Sequence, residues 1–234
     1  MNPEFVLVVG DVFVPCRQSD IPQKFKTILL PNKMQHVLSL GNIGSNDNYN
    51  WLKGLSNDFH CVKGEFDEVN APEKKVVQIG EFKIGMIHGH QVLPWGDHEA
   101  LANVQRELGC DILLSGHTHI QEIRCREGKF YINPGSLSGA FSYVTPYPVP
   151  SFMLIILQGS DAIVYNYVMN NKKGNFEVSK MSFTKGSEGF KQNEDGEEEV
   201  NEEEREEDEN KEGKDNKDEI IQDNNNKGEE NTLS

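Results

Sequence analysis

Apolar residues along this chain fall in short runs, most of them closed by a glycine and then a polar or charged residue. Five segments share the plan: FVLVVGD at 5–11, HVLSLGN at 36–42, CVKGE at 61–65, KIGMIHGH at 83–90 and DILLSGHTH at 111–119. Short apolar runs bounded by glycine predict strands. The intervening segments carry helical signals. DIPQKFKTILL at 20–30 opens on Asp20 as an N-cap with a proline in the first turn. DHEALANVQRELG at 97–109 has Asp97 at its start, Leu101, Val104 and Leu108 at helical spacing, and Gly109 to close it. Strand–helix alternation of this kind predicts a largely parallel α/β sheet.

Past about residue 120 the pattern changes. EIRCREGKFYINPG predicts a hairpin around Glu127-Gly128, and SFMLIILQGSDAIVYNYVM predicts another turning at Gly159-Ser160. NFEVSKMSF supplies a further strand. These elements predict a second, mostly antiparallel sheet packed on the first. The expected folded domain therefore spans 1–185.

Charge separates that domain from the remainder of the chain. The formal net charge of −15 is concentrated in 186–234, which holds 20 acidic and 6 basic residues; 1–185 holds 18 and 17. The acidic segment is of low complexity and poor in aromatics, a composition too polar to offset the entropy of ordering, so it is read as a disordered tail. The near-neutral body carries no basic footprint for nucleic acid. Its four cysteines show no CxxC spacing and sit among apolar neighbours, which favours free thiols in a reducing, cytoplasmic compartment. FVLVV is too short for a signal-peptide core, and no apolar run reaches the length of a membrane span. Membrane association is expected only through a partner.

Ligand sites in open α/β sheets lie beyond the carboxyl ends of the strands. Here those ends carry Asp11, Asn42, Glu65, His88, His117 and His119. Six oxygen and nitrogen donors, each just after an apolar run, point to a metal site more strongly than any one alone. His36, His60 and His98 lack that placement and are read as ordinary surface or core histidines.

The order GD…GN…GE…HGH…GHTH resembles the calcineurin-like metallophosphoesterase family, whose pattern is DxH…GD…GNH(D/E)…H…GHxH. KGEFDE, KIGMIHGHQVLPWGD, ILLSGHTH, KFYINPGS and PSFMLI resemble in particular the branch of that superfamily that serves as subunits of retromer, an endosomal cargo-sorting coat. The likeness runs through about residues 2–184. It implies an α/β/β/α sandwich of two packed mixed β-sheets flanked by helices. In active members of the family two metal ions are bridged by an aspartate, and a histidine assists the leaving group.

Four departures from the family pattern then matter. Phe13 stands where a histidine ligand is expected, and Asn42 stands for the bridging aspartate. Two dications about 4 Å apart repel by on the order of 15 kcal/mol at an effective dielectric near 20, and a neutral amide offsets little of that. Glu65 replaces the asparagine, and Phe66 replaces the catalytic histidine with a ring that cannot transfer a proton. The resemblance thus leaves Asp11, His119 and Asn42 at one position, and Glu65, His88, His117 and Asn42 at the other. The expectation is at most one divalent ion, Zn²⁺ or Mn²⁺, weak or non-catalytic, and no enzyme activity. The alternative is a divalent-metal-dependent phosphoesterase with altered ligands.

After His88 the chain reads GHQVLPWGD, and Val92, Leu93, Pro94 and Trp95 form an apolar cluster where a phosphate-handling mouth should be polar. The resemblance implies that this edge docks on the α-solenoid subunit of retromer. It also implies a second face, with Leu29, Leu30, Leu154, Tyr165 and Tyr167 receiving Pro-Leu-bearing loops of retromer regulators. The implied localisation is cytoplasmic, with peripheral recruitment to endosomal membranes through the complex.

Overall fold

In a computed structural model of the chain, residues 2–170 and 174–190 are described. The acidic tail beyond residue 190, expected from composition to be disordered, lies outside the described residues. Among the described residues eleven strands and three helices follow in chain order: β1 Glu4–Val9, α1 Gln23–Ile28, β2 His36–Ser39, α2 Asn46–Gly54, β3 Asp58–Cys61, β4 Lys74–Ile79, β5 Phe82–Ile87, α3 His98–Leu108, β6 Ile112–Leu114, β7 Gln121–Arg126, β8 Lys129–Pro134, β9 Ser151–Gln158, β10 Asp161–Asn170 and β11 Asn175–Thr184.

The strands form two mixed sheets, as the resemblance implies, ordered β11-β10-β9-β1-β2-β3 and β4-β5-β6-β8-β7. Membership does not follow the two halves of the chain as the sequence pattern suggests. The late strands return to the first sheet, where β9 pairs antiparallel with β1, while β5 and β6 belong to the second sheet and run parallel with β8. Local periodicity fixes that a segment is a strand; which neighbour it takes depends on long-range burial.

Burial explains the unbroken apolar runs. In β1, Val6 and Val8 enter the core between the sheets with Leu38, Ile84, Met86, Ile112, Met153 and Ile155. Leu7 and Val9 point the other way, under Phe25, Leu29 and Leu52 of the α1–α2 side. On the far face, Ile87, Leu113 and Tyr131 pack against Leu101 and Ala102 of α3. Both hairpins close where the sequence predicts. Glu127 and Gly128 take the positive φ values, 51° and 67°, that a two-residue turn between twisted strands requires. Asp97 caps α3 by accepting from the Ala100 N–H at 2.8 Å, and Gly109 ends it at φ 58°. Asp20 does not cap α1. The helix starts two residues later, and Asp20 instead accepts from Lys26 at 2.6 Å and from the Ile21 N–H at 2.8 Å.

Residues 186–190, assigned to the tail on composition, are described. The Phe190 ring lies 5.7 Å from Phe130 and 6.0 Å from Phe183, at the edge of the core between the sheets. Lys185 pairs with Asp111 at 2.8 Å. Truncation after Lys185 is expected to expose that edge, cost about 1–2 kcal/mol of apolar burial and lower the melting midpoint by several degrees. Truncation after Phe190 should leave the midpoint unchanged. Equal midpoints for the two truncations would mean that Phe190 adds nothing.

Candidate metal and docking site

The loops after β1, β2, β3, β5 and β6 converge at one end of the two sheets. Asp11, Phe13, Asn42, His117 and His119 all have positive φ, between 49° and 69°. Such conformations cost non-glycine residues about 1–3 kcal/mol each and persist where the surrounding structure over-determines them. Small residues make the convergence possible. A Cβ on Gly116 would sit 2.8 Å from Asp11 Oδ2, and one on Gly64 would collide with the Asn42 amide.

Three predicted ligands come together. Glu65, His88 and His117 each offer a donor atom, all within 4.8 Å of one another, the only such group among the described residues. Glu65 Oε2 lies 2.9 Å from His88 Nε2, and Glu65 Oε1 lies 3.2 Å from His117 Nδ1. The His88 Nδ1–H donates to the Leu40 carbonyl at 2.6 Å, which fixes the ring and turns Nε2 into the site. One oxygen and two imidazole nitrogens at this spacing fit a single Zn²⁺-like ion, with water completing its shell.

Burial opposes charge on all these groups, yet their mutual attraction prevails. It would raise the Glu65 pKa, but His117 and His88 hold the carboxyl far below the usual range. Burial would lower the His88 pKa, but Asp11 and Glu65 raise it above the ordinary imidazole value. Asp11, also driven up by burial, is brought below its usual value by His88, His119 and the His117 N–H.

Asp11 and His119 lie beside the trio, with Asp11 Oδ1 3.8 Å from His88 Nε2. They pair with each other, Oδ1 to Nε2, at 3.2 Å, and the His119 Nδ1–H is committed to the Ala140 carbonyl. Asp11 Oδ2 accepts the His117 N–H at 2.8 Å. The Phe13 ring, 3% exposed, fills the space beside them, 5.6 Å from the His119 ring and edge-on to Phe66 at 5.6 Å. Asn42 presents nitrogen, not oxygen, to the centre. Its Oδ1 accepts the Phe66 N–H at 3.1 Å, and its Nδ2 donates to Asp11 Oδ1 and Glu65 Oε2, both at 3.3 Å, and faces His88 Nε2 at 2.9 Å. The flipped amide would set oxygen against two carboxylates and an N–H against an N–H. In this orientation the amide donates to both carboxylates.

The apolar loop at 92–95 divides. Val92 is 5% exposed and packs with Ile87 and Leu101, so it belongs to the core and not to the surface expected from sequence. Leu93 is 71% exposed, with Pro94 and Trp95 beside it. The Trp95 ring stands edge-on to His117 at 4.6 Å and its Nε1–H donates to the His90 carbonyl at 3.3 Å, joining the loop to the metal trio. His90, unassigned by the sequence reading, reaches within 3.5 Å of Glu65.

On the second face, Leu29 is buried under α1 and is likewise unavailable, whereas Leu30 is exposed. Leu154 and Tyr165 face each other across β9 and β10. Tyr167 stacks on Phe152 at 4.6 Å and leans on Phe176. His36 and His60 bind Asp58 at 2.5 and 3.0 Å, and His98 approaches Glu122 at 3.7 Å, away from the trio.

Comparison with known proteins agrees with this geometry. Residues 5–158 match the calcineurin-like phosphoesterase superfamily domain. The vacuolar protein sorting-associated protein 29 of Schizosaccharomyces pombe is 38% identical over 185 residues, covering 77% of this chain and 98% of its own. The wild-type Entamoeba histolytica protein of that name, solved in complex with Zn²⁺, is 45% identical with a TM-score of 0.73, covering 77% of this chain and 99% of its own. The Chaetomium thermophilum protein, solved with a cyclic peptide, is 33% identical with a TM-score of 0.70, covering 79% and 99%. The chain belongs to the vacuolar protein sorting-associated protein 29 family of the calcineurin-like phosphoesterase superfamily.

Proposed function

We propose that this chain is a non-catalytic assembly subunit of the retromer cargo-sorting coat. It acts in endosome-to-Golgi retrograde transport and endosomal recycling by docking on the α-solenoid subunit, vacuolar protein sorting protein 35. The observation that carries the reading is the exposure of Leu93 and Trp95 at the mouth of a site where Phe13 and Phe66 stand in place of a ligand and a proton donor. An apolar rim of this kind suits a protein partner better than a phosphate ester. The protein is cytoplasmic and reaches endosomal membranes through the coat; among the described residues no helix is long and apolar enough to cross a membrane. Leu30, Leu154, Tyr165 and Tyr167 form the accessible part of a second face for Pro-Leu-bearing regulator loops, over the buried Leu29. The described part of the folded domain reaches at least Phe190.

Glu65, His88 and His117 hold a single divalent ion, a set supported by their geometry and by the Zn²⁺ complex of the Entamoeba relative. A bound ion supplies Lewis acidity. This chain's own residues then do little with it, because Asn42 bridges as a hydrogen-bond donor and Phe66 has no proton to give.

The same trio is the observation that favours the second reading, a metal-dependent phosphoesterase with altered ligands. The purified chain, assayed on aryl phosphate mono- and diesters with Mn²⁺ or Zn²⁺, is expected to show no turnover above the metal alone. Turnover that disappears in His117→Ala would establish the second reading instead.

A further inference from the structure

The side chain that covers the vacated metal position is Arg17. Its guanidinium carbon lies 3.8 Å over the Phe13 ring, 4.9 Å from Phe66 and 5.1 Å from Phe141, and one Nη–H donates to the Phe141 carbonyl at 2.9 Å. The substitution that removes a metal ligand, Phe13, therefore provides the face on which a fixed cation rests. Stacking uses the flat faces of the guanidinium and leaves its in-plane N–H groups free to donate. Among the described residues no carboxylate lies within ion-pair distance of Arg17, which is half-buried, while Phe66 and Phe141 beside it are 60% and 49% exposed.

We propose that Arg17 is a recognition point for a carboxylate of the docked partner, an aspartate or glutamate side chain entering between Phe66 and Phe141. The charge is complementary, and the planar fork of the guanidinium matches a carboxylate in two parallel hydrogen bonds. The flanking rings would shed water as the partner covers them, which strengthens the pair. Held by three rings and a carbonyl, Arg17 has lost much of its rotamer freedom before binding, so less is lost on docking.

The inference rests on the docking reading, and the test separates the two. The full chain is titrated with purified solenoid subunit at low and high salt, as wild type, Arg17→Met, Arg17→Gln and Leu93→Asp, with a melting curve for each. Methionine keeps an apolar stem over the rings without the charge, and glutamine keeps polarity, so at least one should fold as the wild type does. Each folded Arg17 variant is expected to bind at least about tenfold more weakly at low salt, and the gap should narrow as salt screens the lost pair. Added inorganic phosphate should affect binding only through ionic strength. If Arg17→Met and Arg17→Gln bind at full strength while Leu93→Asp does not, the carboxylate site is wrong and the docking reading stands. If none of the three variants weakens binding, both fail. A loss independent of salt, or specific competition by phosphate, would also overturn the carboxylate assignment.

Discussion

Leu93→Asp is expected to weaken binding to the solenoid subunit by at least about 100-fold while the domain melts as the wild type does. The two halves of the result come from opposite sides of one loop. Leu93 projects into solvent, and its neighbour Val92 holds the loop down by packing on Ile87 and Leu101. A carboxylate at position 93 costs nothing in the free protein, where it is hydrated. In a desolvated contact it costs several kcal/mol without a partner, and about 1.4 kcal/mol is tenfold in affinity. Val92→Asp is the converse control: it should lower the melting midpoint sharply, because the charge then enters the α3 core. A titration and a melting curve on each variant check both. Full-strength binding by a normally melting Leu93→Asp would move the interface elsewhere.

The second large effect concerns the ion. Calorimetry is expected to find one divalent ion per chain, and His117→Ala should reduce its affinity by on the order of 100-fold or more, since even supporting contacts of metal ligands are worth 10–100-fold. Trp95 stands against His117, so its fluorescence should report the binding and lose the response in the variant. Affinity should also fall on acidification. His88 has a raised pKa, so protons compete for its Nε2 from above the ordinary imidazole range, whereas Asp11 and Glu65 have lowered pKa values and stay ionised throughout it. Chelation should leave the domain folded, because the core between the sheets owes nothing to a metal. Two tight ions per chain would contradict the pairing of Asp11 with His119.

Much of this was legible in the sequence because strand ends mark themselves. A glycine after an apolar run told where each loop begins, and the polar residue after it told what the loop brings to the site. Asp11, Asn42, Glu65, His88, His117 and His119 do converge. What each one does there was not legible. That Asn42 turns its nitrogen inward depends on the Phe66 N–H holding its oxygen, and that Asp11 takes His119 as its partner depends on how far Phe13 fills the gap. The inward turn of Val92 and Leu29 comes from the packing of α3 and α1, and an apolar residue in a loop carries no sign of its direction. Helix α2 is capped by Ser45, whose hydroxyl accepts from the Asn48 N–H at 3.2 Å, a cap in a segment with little apolar periodicity. The Arg17 cage joins residues up to 124 positions apart, and no local pattern encodes such a meeting.

Hydrogen exchange of the full chain, alone and with the solenoid subunit, tests the docking face most directly. Protection is predicted at the mouth of the metal site, in residues 90–96 and 141–149 and around Arg17 and Phe66, with the amides of β9 and β10 unchanged. Protection confined to the Leu154–Tyr165 face, with the mouth exchanging as in the free protein, would contradict the reading of the degenerate site as the docking surface.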